Sequence, residues 1–528
     1  DSTYRKILKL GIDGVYGNYK HSRLYPNQNF ASHVLGYVNK EGKACMGIEL
    51  MADYYLRGQD GWRESERDGR RREMPQFRSV EFDAREGLSV ELSIDRVVQE
   101  RVEQEVSRIM EEFSPVSVSI IVSEPRTGEI LAMANGPSFD PNLYNDVPLE
   151  NHRNRCLTDL YEPGSTFKLM ALAVALEDKV IDTTTIVDTE NGILSFYGKK
   201  VRDSKNGGYG KISVAKAFEV SSNTGIVKAI HNSYKDKPSK FVDGLYRMNL
   251  QDTLKLPIIG EGKPIIPDPR IKNKRWSGIA LEWMAYGYGV SFTPLQTLTF
   301  YNAVANDGEM VRPRFLREVR EFGTPIETFK KDVINKQICS PETIDKLQQL
   351  LKNVVTKKHG TGHGLYADNF SMAGKTGTCQ KDYKEKDKLN YISSFVGFFP
   401  AENPKYSCIV VIHEPDKSVG YYGADVSGPV FKKIAQKIYT DTPLIDEVDN
   451  LEIAAKSVAS NYESYFETVQ KHKTIMPDLK GVPAMDALTI LENMGMKVRL
   501  IGSGHVKKQS VEKGVKLKAK QTITLELS

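Results

Sequence analysis

Residues 163–178 read PGSTFKLMALAVALED, and this stretch decides the fold. Pro163-Gly164 breaks the preceding chain, and from Thr166 to Asp178 strong helix formers follow with almost no polar interruption, so a helix is expected to begin near Ser165. A helix that is apolar on nearly every side belongs in the middle of a domain. At its start Ser165 and Lys168 stand three apart, which brings their side chains out on one face, close enough for a proton to pass between them.

Working outward, the β-branched run VSVSIIVSE (116–124) is followed by the turn Pro125-Arg126-Thr127-Gly128 and by EILAMA, a hairpin signal. Downstream, KLQQLLKNVV (346–355) reads as a helix, and SFVGFF (394–399) and SCIVVIHE (407–414) read as adjacent strands. Helices and a sheet of local hairpins predict an α+β fold. The first ninety or so residues suggest an irregular, strand-containing domain, in which DGRRRE (68–73) is too charged for a core. Residues 445–473 are polar and weakly patterned. After them comes a small α/β module: a helix through AMDALTILENMG, with Leu488, Leu491 and Met494 at helical spacing, then the strands KVRLIG and QTITLEL. The expected division is therefore 1–95, 96–444, a 445–473 linker and 474–528.

Composition narrows the function. A chain of 528 residues has room for several cores. Its 73 basic residues nearly balance 68 acidic ones, which excludes a dedicated nucleic-acid surface, although most of the excess charge lies between Thr474 and Ser528 and favours an anionic polymer or surface there. Five scattered cysteines fit neither a disulfide framework nor a zinc ribbon. No stretch approaches the ~20 apolar residues of a membrane helix. His359 and His363, four apart, invite a metal reading, but Gly360, Gly362 and Gly364 argue for a loop and no H-E-x-x-H pattern exists, so neither metal nor cofactor is expected.

Taken alone, S-x-x-K is weak. Ser213 with Lys216 and Ser510 with Lys513 match it equally, and the plain reading of Ser165 is a helix N-cap. Two further features change the weighing. Ser221-Ser222-Asn223 offers a second hydroxyl and an amide able to hold a substrate. Lys375-Thr376-Gly377-Thr378, expected to open a strand near SFVGFF, combines a cation for a carboxylate with a glycine that lets a substrate backbone lie against the sheet edge. A phosphate loop at Gly374-Lys375-Thr376 fails, because its required first glycine falls at Asn369. No histidine lies in any of the three motifs, so Lys168 is the candidate base for Ser165. A lysine titrates near ~10.4, so burial and a neighbouring cation such as Lys375 must lower it.

S-x-x-K on a buried helix, then S-x-N, then K-T-G on a strand, in that order, resembles the penicillin-recognising serine transpeptidases. RLYP with ASHVLGYVN and GIE (23–49) is similar to the N-terminal pedestal, or dimerisation-type domain, of class B penicillin-binding proteins. YGYGVSFTPLQ (286–296), YNAVANDGEMVRP and SFVGFFP are similar to their transpeptidase domain, and MPDLKGVPAMDAL onward resembles a PASTA module. The resemblance covers essentially the whole chain and is nearest to the division-specific penicillin-binding protein 3 (FtsI-type) branch. Val511 stands where the PASTA pattern has proline and Lys520 where it has glycine.

The resemblance implies an antiparallel sheet with helices on both faces, a strand-containing pedestal and a small α/β PASTA module. It implies a peptidoglycan D,D-transpeptidase in which Ser165 attacks the penultimate D-Ala carbonyl of a stem peptide, the amides of Ser165 and Thr378 hold the oxyanion, and Ser221 relays a proton. Asn223 and Ser222 hold the donor peptide, and Lys375, Thr376, Gly377 and Thr378 form the carboxylate side. β-Lactams acylate such a serine. Also implied are a role in septal wall synthesis beside a membrane glycan polymerase and divisome proteins, and a place on the outer face of the cytoplasmic membrane through an N-terminal anchor absent from this sequence. A D,D-carboxypeptidase or β-lactamase-type hydrolase shares the three motifs, and an inactive wall-binding scaffold is a third reading. The pedestal and C-terminal module argue against the hydrolase. The intact Ser165, Lys168 and Lys375 argue against the scaffold. Within the family, a sporulation-type relative with a PASTA module is the nearest competitor.

Overall fold

The computed structural model describes residues 2–12, 22–64, 66–70, 74, 80–271, 276–381, 390–441, 474–502, 504–518 and 521–528. The chain forms two compact units, Asp1–Ile438 and Tyr439–Ser528.

In the first unit, the side chain of Asp95 accepts from the amides of Val97 and Val98 and so caps α1 (Arg96–Phe113). This helix buries Val98, Val102, Val106, Ile109 and Phe113 at helical spacing. The expected hairpin follows as β1 (Ser117–Ser123) and β2 (Ile130–Gly136), buried along their whole length. A 3-10 turn at Gly164–Phe167 leads into α2 (Lys168–Glu177), whose residues from Lys168 to Leu176 are all buried. Next come α3 (Asn223–Tyr234), α4 (Pro294–Ala305) and α5 (Pro341–Thr356). A capping box between Thr293 and Gln296 starts α4, which is buried on every side. The strands β3 (Ala373–Lys381), β4 (Asn390–Phe399) and β5 (Tyr406–His413) and the helix α6 (Ser427–Asp441) follow.

These five strands make one sheet in the order β3-β4-β5-β1-β2, antiparallel at every step. Alternation along β4 shows that both faces are covered. Val396 and Phe398 enter the main core with α2 and α4, whereas Phe395 and Phe399 meet Phe431 of α6 on the other side. The strand that carries K-T-G is left at the edge of the sheet.

The irregular N-terminal part contains short helices at Ser32–Leu35, Gly47–Met51 and Asp53–Leu56 and a strand pair, Trp62–Arg63 with Glu81–Phe82. Ser89–Leu92 pairs with Leu316–Glu321, which also pairs with Thr324–Thr328. Part of the charged run DGRRRE, residues 71–73, lies outside the described residues, as do the expected linker 445–473 and Lys520.

The second unit has α7 (Ala484–Asn493) and the strands β6 (Lys497–Ile501), β7 (Val506–Gln509) and β8 (Thr522–Leu527) in the order β6-β8-β7. β6 runs parallel to β8 and β7 antiparallel to it. The buried stripe of α7 is Ala487, Ile490, Leu491 and Met494, with Leu488 only half-buried. The buried stripe thus differs from the expected one at its first position, where Ala487 and not Leu488 enters the core. Val511 lies against the edge of this core.

Candidate active site

The Gly164–Phe167 turn holds Ser165 half-exposed at the head of α2. Its neighbours are fixed from three sides. Gly164 N–H donates to Gly287 O at 3.1 Å, Thr166 Oγ1 donates to Pro163 O at 2.8 Å, and Tyr301 of α4 donates its hydroxyl to Thr166 O at 2.9 Å. Gly287 is required there, since a Cβ would stand 2.0 Å from Gly164 O. The side chain of Ser165 caps no helix amide, so the plain reading of this serine does not hold. It holds for Ser213, while Ser510, the third S-x-x-K match, is spent on a strand amide. Ser213 Oγ caps the helix Val214–Glu219 by accepting from Lys216 N, and Ser510 Oγ accepts from Thr524 N.

Ser221-Ser222-Asn223 is a junction of two helices. Ser221 N–H donates to Phe218 O and Ser222 N–H to Ala217 O, a Schellman ending of the helix Val214–Glu219. Ser222 then caps α3 through Gly225 N. Ser221 occupies the left-handed position (φ 55°) that such an ending usually gives to glycine, at a cost of about 1–3 kcal/mol. That conformation turns its hydroxyl toward two lysines.

Lys168 Nζ donates to Ser221 O at 2.7 Å, Asn223 Oδ1 at 2.7 Å and Ser221 Oγ at 3.1 Å. Lys375 Nζ donates to Ser221 Oγ at 3.0 Å, Thr376 O at 2.9 Å and Thr376 Oγ1 at 3.3 Å, over the ring of Phe218. Both lysines are fully buried. Burial lowers Lys168 to about 7, with the carboxylate of Asp203 opposing the shift. Burial and the charge of Lys168 hold Lys375 well below the ordinary lysine value. Two ammonium groups on one hydroxyl repel, so proton occupancy is divided between them. Among the described residues no hydrogen bond joins Ser165 Oγ to Lys168 Nζ; the lysine donates to Ser221 and Asn223 instead.

Asn223 is oriented by its partners, because Oδ1 faces a donor while Nδ2 donates to Arg202 O at 2.7 Å. Ser222 is placed differently from the other expected residues. It is buried, and its hydroxyl donates to Asp203 Oδ2 at 2.9 Å. Thr376 Oγ1 lies 2.9 Å from Thr361 Oγ1, and Thr378 Oγ1 accepts from Gly423 N. Gly377 has a packing reason beyond substrate access. A Cβ there would stand 2.2 Å from Ser394 Oγ and 3.0 Å from Thr166 Cγ2, so the K-T-G strand lies directly against the serine turn. Beyond its far end, a cavity of about 510 Å³ is lined by Glu162, Gln380, Lys381 and His413, among others.

Sequence reasoning missed Asp203, Thr361, Tyr301 and Glu219. Asp203 accepts from Ser222, Thr224 N and Thr224 Oγ1, yet it lies in a glycine-rich turn with no motif of its own. His359 and His363 do not converge. The first meets Glu219 and the second meets Val355 O. Cys379 is buried, and burial pushes its thiol up, as a packing residue requires.

A family model for the penicillin binding protein transpeptidase domain matches residues 118–436, one for the penicillin-binding protein dimerisation domain matches 3–92, and one for the PASTA domain matches 474–528. The chain belongs to the penicillin-binding transpeptidase family. Stage V sporulation protein D of Bacillus subtilis is 29% identical over 99% of this chain and 78% of that protein. Peptidoglycan D,D-transpeptidase FtsI of Escherichia coli is 30% identical over 81% of this chain and 68% of that protein. Among solved structures, penicillin binding protein 3 of Mycobacterium tuberculosis superposes with a TM-score of 0.66 at 27% identity, covering 79% of this chain and 90% of that one. Penicillin binding protein 2X of Streptococcus thermophilus shares the fold at 22% identity and a TM-score of 0.66, over 100% of this chain and 77% of that one. The penicillin-recognising transpeptidase fold, with a dimerisation-type N-terminal part and a PASTA C-terminus, is therefore the fold of this chain.

Proposed function

We propose that this chain is a peptidoglycan D,D-transpeptidase that cross-links stem peptides through an acyl-Ser165 intermediate and is acylated by β-lactams. The observation that carries the reading is the convergence of all three motifs on Ser221 Oγ, held between Lys168 and Lys375. In its neutral form Lys168 takes the Ser165 proton as Oγ attacks the penultimate D-Ala carbonyl. The amides of Ser165 and Thr378 hold the oxyanion, a contribution of ~3 kcal/mol per donor. The C–N bond then breaks, and the leaving D-Ala amine receives a proton through Ser221. An acceptor amine attacks the ester, Ser165 regains its proton, and the cross-link is released. Lys375 and Thr376 take the terminal carboxylate with Thr378 beside them, Asn223 faces the donor peptide, and Ser222 with Asp203 supports the junction. A bound carboxylate returns Lys375 toward its charged form, since opposite charge raises a lysine.

The substrate lies outside the cytoplasm, so the enzyme works on the outer face of the cytoplasmic membrane, in septal synthesis beside a glycan polymerase and divisome proteins. Among the described residues no helix is long and apolar enough to cross a membrane. The division at 95/96, 444/445 and 473/474 belongs to this proposal, and the matched ranges fall within it. A second setting, sporulation, is favoured by the relative aligned along 99% of the chain, C-terminal module included. The activity is tested by incubating the protein with a synthetic D-Ala-D-Ala donor and an amine acceptor. Cross-linked product is expected to exceed hydrolysed donor, and hydrolysed donor alone would make the enzyme a carboxypeptidase.

A further inference from the structure

We infer that Glu219, two residues ahead of Ser221, is a positioning residue that acts with His359 to hold Thr361 against Thr376 at the carboxylate end of the site. This rests on the reading of Lys375 and Thr376 given above. Glu219 is 5% exposed, and a buried carboxylate must be partnered. Its Oε1 accepts from Asn353 Nδ2 of α5 at 2.7 Å, and its Oε2 lies 2.6 Å from His359 Nε2. Its backbone carbonyl accepts from Thr361 N at 3.0 Å. One residue thus ties the end of the helix leading to Ser221 to α5 and to the loop 357–362, at three points.

The consequence falls on Thr376. Its hydroxyl accepts from Lys375 Nζ at 3.3 Å and lies 2.9 Å from Thr361 Oγ1. A hydroxyl has one proton and can accept more than once. When Thr361 donates, Thr376 accepts from both neighbours and its own proton is left to point at a bound carboxylate. The Thr361 hydroxyl therefore orients a donor of the carboxylate site, and the Glu219–His359 pair keeps it at that distance. The histidine that suggested a metal has this use instead, and none of Glu219, His359 and Thr361 lies in the three motifs.

The test resolves acylation by benzylpenicillin into an apparent dissociation constant and an acylation rate, by stopped flow on the full chain. Thr361→Val is expected to raise the dissociation constant roughly three- to tenfold, the worth of one hydrogen bond, with the rate held within about twofold. Thr361→Ser should restore it. His359→Ala alters a side chain on an exposed loop, and an unchanged melting temperature would establish that it folds. It should raise the dissociation constant too, and the double variant His359→Ala/Thr361→Val should be no weaker than Thr361→Val alone. An unchanged dissociation constant in His359→Ala, full additivity in the double variant, or a loss carried by the rate would each overturn the inference. Acylation of Ser165→Ala would instead overturn the underlying reading of the site.

Discussion

If neutral Lys168 is the base, acylation must follow its titration. The lysine is buried with three acceptors around it and titrates at about 7, a displacement from ~10.4 that amounts to roughly 4–5 kcal/mol of preference for the neutral form. Below about 7 the neutral fraction falls nearly tenfold per unit, so the acylation constant should fall about tenfold between pH 6 and pH 5 and level off above about pH 8. Lys168→Arg should sit near background throughout, because a guanidinium stays protonated. The assay is pre-steady-state acylation by a fluorescent penicillin from about pH 5 to 9, with melting temperatures recorded at each pH. The same shift gives a stability signature. The unfolded chain holds this proton up to ~10.4 and the folded chain only up to about 7, so the cost of Lys168 is full below about 7 and fades as pH rises from there toward ~10.4. The stability advantage of Lys168→Met over wild type should shrink accordingly. A flat acylation profile between about pH 5 and 8, or a half-point near ~10, would refute the assignment.

Gly377→Ala would drive a Cβ to 2.2 Å from Ser394 Oγ and 3.0 Å from Thr166 Cγ2, a displacement near ~1 Å that should slow acylation ~10²-fold; an unchanged rate contradicts the packing argument. Asp203→Asn removes the charge that raises Lys168, so the half-point of the acylation profile should move to lower pH while the rate drops through loss of the Ser222 and Thr224 contacts. A half-point moving upward would reverse the electrostatic account. Ser213→Ala removes only a helix cap, costing ~1 kcal/mol in denaturant unfolding and leaving acylation unchanged.

The sequence announced the hairpin of β1 and β2, the buried α2 and the neighbouring strands β4 and β5, because continuous apolar runs bounded by turn residues leave few alternatives. The order of three short motifs made the site legible where each alone was not. Other features depend on contacts far apart in the chain. Ser221 holds a left-handed helix ending that normally carries glycine as its signal, so nothing local marked Ser221-Ser222-Asn223 as the junction of two helices. Ser222 belongs to the helix junction, which appears only once Asp203 folds against it. Lys168 was legible as the base for Ser165 from their spacing, but its resting partners Ser221 and Asn223 lie more than fifty residues away and left no local signal. In α7, Leu488 rather than Ala487 looked like a core position, since hydrophobicity alone does not tell which side the sheet will take.

Ser165 as the acylated nucleophile is tested by intact-protein mass after incubation with penicillin, followed over hours for wild type and Ser165→Ala. Wild type should carry a single persistent adduct and the variant none. An adduct on Ser165→Ala, no adduct on either protein, or rapid loss of the wild-type adduct with release of hydrolysed penicillin would contradict it.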